Sequence, residues 1–157
     1  MTRRSSKRVL MATAFTVVLV IAACGGGAAP ASGRTITIEM SDFAFSPSAI
    51  DLAPGERVTL TFRNVGTVEH EFMAGSEPMM GTGYGQDWLA RAKLDAGKSH
   101  DTAHAGEGVR VAARKSAELR LVVPAERGEF EFGCFVAGHY EAGMKGKLVV
   151  GAPAGSR

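Results

Sequence analysis

The sequence predicts an all-β domain, folded as a β-sandwich or a β-barrel. Two observations support this prediction. Apolar and polar residues alternate along several short segments, and turns rich in glycine, proline or asparagine separate those segments. Several short strands with regular turns are typical of sandwiches and barrels. The chain has 157 residues, enough for one such domain, and contains no internal repeat.

The alternation locates the individual strands. The alternating segments are residues 36–40, 50–52, 58–62, 70–72, 117–123, 130–134 and 148–150. Phe43 and Phe45 continue the spacing of the first segment, so that strand is expected to run on through them. Turns are predicted at Pro54-Gly55, at residues 64–66 and at residues 124–128.

Residues 74–115 interrupt this pattern, because they are rich in glycine and charge and lack alternation. They are predicted to be one long loop insertion that contains a short helix at residues 87–94, with Asp87 near its start. A loop this long in a compact domain is usually functional or mobile. The helix residues expected to face the core are Trp88, Leu89 and Ala92.

The first 23 residues are predicted to be a lipoprotein signal peptide. Four basic residues precede an apolar run, residues 9–23, that is too short to span a bilayer of ~30 Å comfortably. Residues 21–24 resemble a bacterial lipobox, which predicts that Cys24 is lipidated and becomes the first mature residue. An ordinary signal peptide that happens to contain a cysteine is the alternative.

The remaining chain divides into three parts. Residues 24–33 form a flexible tether of small residues and proline, residues 34–150 form the domain, and residues 151–157 form a tail. We therefore expect an exported domain, anchored by lipid to the cell membrane and facing the periplasm or the cell exterior.

Signal removal reverses the sign of the net charge. The full chain has 18 Lys and Arg against 16 Asp and Glu, and the signal carries four of the bases and none of the acids. The mature chain therefore has 14 bases against 16 acids, a net charge of −2. This balance gives no electrostatic support for nucleic-acid binding.

Cysteine usage indicates a metal. If Cys24 is acylated, Cys134 is a lone thiol in an oxidising compartment, where it needs protection or a ligand role. Cys134, His139 and Met144 lie within eleven residues of a glycine-punctuated loop. Sulfur ligands with imidazole suit copper, whereas structural zinc rarely uses methionine. His70, which opens a strand after the Asn-Val-Gly turn, is the natural fourth ligand.

These residues resemble the cupredoxin family of blue copper proteins, and the copper loop resembles that of its auracyanin-type and rusticyanin-type members. The resemblance covers residues 36–73 and 116–150. The matching motifs are Cys134-x4-His139-x4-Met144, Phe43-Ala44-Phe45-Ser46-Pro47, Pro54-Gly55-Glu56-Arg57-Val58, Asn64-x-Gly66 and His70-Glu71-Phe72. The family implies a Greek-key cupredoxin-like β-sandwich, here carrying the loop and short-helix insertion.

The resemblance also implies one copper ion that alternates between Cu(II) and Cu(I). His70, Cys134 and His139 would form a trigonal set, with Met144 as the weak axial ligand. Many cupredoxins have Asn after the upstream His, but this chain has Glu71, whose carboxylate is expected to favour Cu(II) and lower the reduction potential. Val136 is not proline, so its N–H can donate to the Cys134 sulfur.

Two further groups are candidate auxiliary metal ligands. Met79 and Met80 are expected to line the apolar patch around His139, to bind Cu(I) transiently, or simply to pack. His100 and His104 would align on a helix, but the glycines around them make solvated loop histidines the favoured interpretation.

The sequence favours a single-electron carrier that is not an enzyme. It contains no open metal position, nucleophile–base pair or substrate motif, so no small-molecule substrate is expected. The expected partners are redox proteins of the cytochrome or oxidase class, docking on small residues around His139. Copper storage, sensing or delivery is the alternative function. A third hypothesis is a domain used only as a binding module, but the intact ligand set argues against it.

Overall fold

The structure, a computed structural model, describes residues 33–94, 103–104 and 108–151. The predicted signal peptide, Cys24 and His100 lie outside the described residues. Over the part of the chain that is described, no helix has the length and apolar character needed to cross a membrane.

The described residues form twelve β-strands and one turn of 3-10 helix, arranged as two facing sheets. The prediction of an all-β sandwich is confirmed. The strands are β1 (Arg34–Ser41), β2 (Ala44–Ser46), β3 (Ala49–Leu52), β4 (Arg57–Asn64), β5 (His70–Met79), β6 (Gly83–Asp87), β7 (Lys93–Leu94), β8 (Ala103–His104), β9 (Gly108–Val111), β10 (Ser116–Val122), β11 (Gly128–Gly133) and β12 (Lys145–Val150).

The first sheet has five strands in the order β2-β1-β4-β10-β7. β1 and β4 run parallel, with Met40 opposite Asn64. Because the two strands are parallel, their C-terminal ends lie side by side at the same end of the sheet. Residues 42 and 66, each two positions beyond this pair, therefore come close together although they are far apart in sequence.

The second sheet has the order β3-β12-β11-β5-β9-β8, and β6 also pairs with β5. β11 is antiparallel to β5, with Gly133 opposite Met73. The start of β5 and the end of β11 therefore meet at one end of the sandwich. His70 begins β5 and Cys134 follows β11, so this topology brings two predicted ligands together.

The core lies between the sheets, and its aromatic part supports the ligand end. The Phe72 and Phe132 rings stack with centroids 5.2 Å apart, and Phe45 meets Phe132 edge-on at 5.3 Å. All three rings are buried, and each contributes roughly 1.5–3 kcal/mol to stability by burial. Because Phe72 and Phe132 lie two residues from His70 and Cys134, the rings hold those side chains on the interior face.

Residues 74–115 are not one long loop, and that prediction is wrong. β5 continues to Met79, and β6, β7, β8 and β9 all lie within this stretch. β6 contains Gly83 and Gly85, which have no side chains, so the alternation of apolar and polar residues could not reveal that this strand pairs with β5. The predicted helix is only one 3-10 turn, Leu89–Arg91.

The orientation predicted for that turn is nevertheless confirmed. The Asp87 carboxylate accepts the Ala90 N–H at 3.1 Å, and the three residues expected to face the core are buried. A second difference concerns Phe43, which was expected to continue β1. The chain turns at residues 42–43, and β2 folds back on β1 with Met40 opposite Phe45.

Met79 and Met80 lie at the opposite end of β5 from His70. Met79 lies nine positions after His70 along the strand, which corresponds to up to about 30 Å of chain. Both methionine side chains are exposed at the β5–β6 hairpin. The expectation that they line the apolar patch around His139 is therefore wrong, because they belong to the other end of the sandwich.

Candidate metal centre

His70, Cys134 and His139 converge at one buried point. Their potential ligand atoms all lie within 4.8 Å of one another, and all three residues are buried. The Nδ1 atoms of the two histidines are 3.2 Å apart, and the Cys134 sulfur is 3.3 Å from the His139 Nδ1. The structure thus brings together three of the four residues that the sequence predicted as ligands.

The loop after β11 holds Cys134 and His139 through its own backbone hydrogen bonds. The His139 N–H donates to the Val136 carbonyl at 2.9 Å, and the Met144 N–H donates to the His139 carbonyl at 3.0 Å. The Cys134 N–H donates to the Met144 carbonyl at 3.1 Å, which closes the loop on itself. Gly138 and Gly143 have positive φ angles of 82° and 96°, which a glycine adopts readily.

Met144 is fully buried in this loop and belongs to the same apolar cluster as Cys134. Its backbone is hydrogen-bonded to both Cys134 and His139. The thioether therefore lies on the loop that carries two members of the triangle, as the sequence pattern requires of a fourth ligand.

The triangle is electrostatically suited to bind a cation. Burial lowers the pKa of His139, and the neighbouring His70 lowers it further, which favours the neutral imidazole whose lone pair can bind a metal. Burial raises the pKa of the Cys134 thiol, although N–H groups of Glu71 and Val136 donate to its sulfur and act in the opposite sense. Metal binding must therefore displace the thiol proton.

Two backbone N–H groups point at the Cys134 sulfur. The Glu71 N–H donates to it at 3.3 Å, and the Val136 N–H donates as the sequence predicted. Such donors orient a ligand and stabilise negative charge on it. The first of them ties β5 directly to the loop.

The Glu71 side chain does not point toward the triangle. Adjacent strand residues face opposite sides of a sheet, so Glu71 lies on the outer face while His70 faces the core. Its carboxylate is buried and accepts the Arg110 Nε–H at 3.0 Å. The Glu71 charge raises the pKa of the Cys134 thiol and the Arg110 charge acts in the opposite sense, so the effect of Glu71 on the reduction potential stays a prediction.

Asp42 is the carboxylate that reaches the site, and sequence reasoning missed it. Its Oδ1 is 2.8 Å from the His70 Nε2, and its Oδ2 accepts the N–H and the hydroxyl of Thr67. These hydrogen bonds from Thr67 lower the pKa of Asp42 to about 2. In sequence Asp42 resembles an ordinary turn residue, and only the parallel pairing of β1 and β4 places it beside the site.

Phe43 covers the outer side of His139. Its ring centroid is 4.7 Å from that of His139, in an edge-to-face arrangement, and the side chain is 44% exposed. The small residues on the loop beside this histidine, Ala137, Gly138, Ala142 and Gly143, are also exposed, and Val136 is half-buried. Because His139 itself is buried, Phe43 forms the surface through which the site meets solvent.

A second cluster braces the loop from the outer face of the second sheet. Glu131 on β11 accepts hydrogen bonds from the hydroxyls of Tyr84 and Tyr140, at 3.1 and 2.5 Å. Tyr140 also stacks on Phe135, with ring centroids 4.8 Å apart. Since Phe135 follows Cys134 and Tyr140 follows His139, these contacts fasten both ligand-bearing residues to the sheet.

Met79 and Met80, two of the remaining candidate ligands, are not brought to the triangle. His104 lies on the short strand β8, with its backbone opposite Gly108, and is not helical. Met79 and Met80 are exposed at the distant hairpin. Their auxiliary role stays a prediction.

The donor set fits copper. Metal–imidazole bonds are about 2.0–2.1 Å long, as known for zinc, so one ion fits between two nitrogens 3.2 Å apart. One thiolate and two imidazoles with a nearby thioether match the ligand preferences of copper better than those of zinc, or of cations that prefer oxygen ligands.

Comparison with known proteins gives a consistent result. The model of the Cupredoxin-like domain matches residues 13–82. Copper-resistant cuproprotein CopI of Rubrivivax gelatinosus is 38% identical over 126 residues, which cover 79% of this chain and 70% of that protein. Auracyanin-A of Chloroflexus aurantiacus is 27% identical over 164 residues, covering 92% of this chain and 96% of that protein.

The fold is also similar to a solved structure. The dithionite-reduced auracyanin of Roseiflexus castenholzii aligns with a TM-score of 0.52 at 23% identity, covering 76% of this chain and 98% of that one. The two-sheet fold, the His-Cys-His triangle and the relative at 38% identity all indicate the same family. The chain belongs to the cupredoxin family.

Proposed function

We propose that the protein is an exported, mononuclear blue-copper protein that carries single electrons between redox proteins and is not an enzyme. His70, Cys134 and His139 would hold the copper, with Met144 as a weak axial ligand. The observation that carries this proposal is the buried, closed triangle of one thiol and two imidazoles.

Copper held by these residues would supply a centre that alternates between Cu(II) and Cu(I). The chain's own contribution is to hold the ligands in one arrangement. Backbone hydrogen bonds close the loop, and the core rings fix the strand ends that carry His70 and Cys134. A site that changes little between oxidation states exchanges electrons with little rearrangement.

The exposed face of the site suits brief contact with a partner. Phe43 and the small residues around His139 form an apolar surface. Val65 and Val68, on the turn after β4, are also exposed, at 37% and 41%. Small, weak interfaces are typical of electron-transfer encounters. Electrons would pass between the partner and the copper through His139.

Copper handling is the second candidate function. The name of the Rubrivivax gelatinosus relative, a copper-resistant cuproprotein, favours it. A storage or delivery protein needs a site that releases metal to an acceptor. The burial of all three triangle residues favours retention instead.

Retention of Cu(I) separates the two functions. We expect the copper-loaded protein to be intensely coloured when oxidised, to bleach reversibly on reduction, and to keep its copper against a moderate Cu(I) chelator. His139→Ala opens the triangle and serves as the control in which release must be seen. Rapid loss of Cu(I) from the wild-type protein, with slow electron exchange, would favour copper delivery.

We also propose that Cys24 carries a lipid and holds the domain at the membrane. Cys24→Ser removes the acylated sulfur, so we expect the variant to appear in the soluble fraction while the wild-type protein stays with the membranes. Fractionation followed by immunoblotting measures the distribution. Equal release of both proteins would show that the signal peptide is of the ordinary kind.

A further inference from the structure

The outer nitrogen of His70 is held by a carboxylate. The His70 Nε2 is 2.8 Å from the Asp42 Oδ1, and the His70 ring is fully buried. The other carboxylate oxygen accepts the Thr67 N–H at 2.9 Å and the Thr67 hydroxyl at 2.7 Å. One oxygen therefore serves the histidine, while the other is fixed by the turn that follows β4.

This arrangement determines which nitrogen carries the proton. An ionised carboxylate only accepts hydrogen bonds, so the His70 Nε2 must be the N–H donor. The Nδ1 of a neutral ring then has a free lone pair, and this atom faces the His139 Nδ1 at 3.2 Å. Carboxylate–histidine–metal groups use this geometry to orient a ligand and to increase its donor strength.

We propose that Asp42 is a positioning residue for this site, which fixes His70 with Nδ1 toward the metal and lowers the reduction potential. The proposal rests on the proposed copper function. It assigns to Asp42 the electrostatic effect that the sequence suggested for Glu71.

The two carboxylates differ in their partners. Glu71 is paired with Arg110 and lies on the outer face of its sheet. Asp42 contacts Thr67 and His70, and it has no lysine or arginine partner among the residues that the structure describes. A negative charge without a compensating cation, one imidazole away from the metal, stabilises the more highly charged ion.

The turn after β4 packs directly on this pair. A Cβ atom at Gly66 would lie 2.1 Å from the Asp42 Oδ1 and 2.9 Å from the His70 Nε2. Asn64 holds the turn, because its side-chain amide donates to the Val68 and Val111 carbonyls, both at 2.8 Å. The carboxylate is thus confined between the turn and the imidazole.

Three variants test the proposal. Asp42→Asn keeps the size and one acceptor oxygen but removes the charge, and Asp42→Ala removes the acceptor as well. Asp51→Asn, on the exposed part of β3, controls for the loss of one negative charge elsewhere. The measurements are long-range ¹H–¹⁵N spectra of the copper-free proteins, which report the His70 tautomer, and the reduction potentials of the copper-loaded proteins.

We expect the copper-free wild-type protein to have His70 protonated at Nε2, and Asp42→Ala to contain both tautomers. We expect both Asp42 variants to have higher reduction potentials than the wild type, and Asp42→Ala to bind copper about 10- to 100-fold more weakly. Asp51→Asn should match the wild type in every measurement. Because Asn is nearly isosteric with Asp, Asp42→Asn remains informative if Asp42→Ala fails to fold.

Two results would overturn the proposal. One is a wild-type His70 protonated at Nδ1 in the copper-free protein. The other is a folded Asp42→Asn protein with the reduction potential of Asp51→Asn. A wild-type protein with the expected tautomer that forms no coloured copper site would instead overturn the proposed function and leave the positioning of His70 supported.

Discussion

Cys134→Ser abolishes the intense colour of the copper-loaded protein, because a serine hydroxyl cannot replace the thiolate that characterises blue copper sites. The loss should be complete rather than partial. Cys134 is fully buried between two N–H donors and two imidazoles, and the described residues contain no other thiol that could take its place. Absorption spectra of the copper-loaded proteins measure the effect.

The domain itself should stay folded. The core between the sheets does not depend on the metal, and the Glu71 N–H that meets the sulfur can donate to the serine oxygen. Because the hydroxyl keeps a hydrogen bond, the loss of unfolding free energy should stay below the roughly 1–3 kcal/mol that an unpaired buried polar group costs. Circular dichroism and urea unfolding of the copper-free protein check this.

Cys24→Ser is the matched control, because it makes the same chemical change at the only other cysteine of the chain. That variant should keep its full colour. A coloured Cys134→Ser protein, or a colourless Cys24→Ser protein, would contradict the assignment of Cys134 as the copper ligand.

Strands that bury one face were predictable from the sequence alone. β4 and β10 alternate strictly between buried and exposed or half-buried residues, so their apolar period is visible in the sequence. The ends of β5 and β6 were not predictable. Glu77 and Pro78 resemble a loop, and Gly83 and Gly85 lack the side chains on which alternation depends.

The grouping of the candidate ligands was predictable from the sequence, but the contact between Asp42 and His70 was not. Cys134 and His139 lie in one loop, so their sequence spacing already describes their proximity. Asp42 is 28 residues from His70, and its contact arises from the parallel register that places Met40 opposite Asn64. A pairing between two strands is a property of the folded sheet, so no local motif around Asp42 indicates it.

The position of the Glu71 side chain also depends on the folded sheet. Adjacency in sequence suggested that this carboxylate lies near the metal, but neighbours in a strand face opposite sides of the sheet. The outer face supplies Arg110 as a partner. The Glu71 carboxylate therefore lies on the opposite face of the sheet from His70, and its charge acts on Cys134 together with the opposing charge of Arg110.

Gly66→Ala should damage the site more than any other small substitution in the turn after β4. The new methyl group would lie 2.1 Å from the Asp42 Oδ1 and 2.9 Å from the His70 Nε2, distances that real contacts do not reach. Asp42 must then move away from His70, or the turn must move away from both. Overpacking of this kind costs typically 1–3 kcal/mol of unfolding free energy.

Copper binding should fall as well, because the displaced carboxylate no longer orients His70. We expect a loss of about 10- to 100-fold in copper affinity, the range typical of an outer hydrogen-bond partner of a ligand. Urea unfolding of the copper-free protein and competition with a copper chelator measure the two effects separately. If the methyl group only destabilised the turn, stability would fall while copper affinity stayed unchanged.

Gly151→Ala is the matched control for this substitution. A Cβ atom at residue 151 would meet only the Val149 Cγ1, at an ordinary contact distance of 3.8 Å. Neither stability nor copper affinity should change by more than about 0.5 kcal/mol there. Since neither glycine has a positive φ, the two substitutions differ in packing and not in backbone strain. Equal behaviour of the two variants would mean that the turn has room beside Asp42, and that His70 is oriented by the core alone.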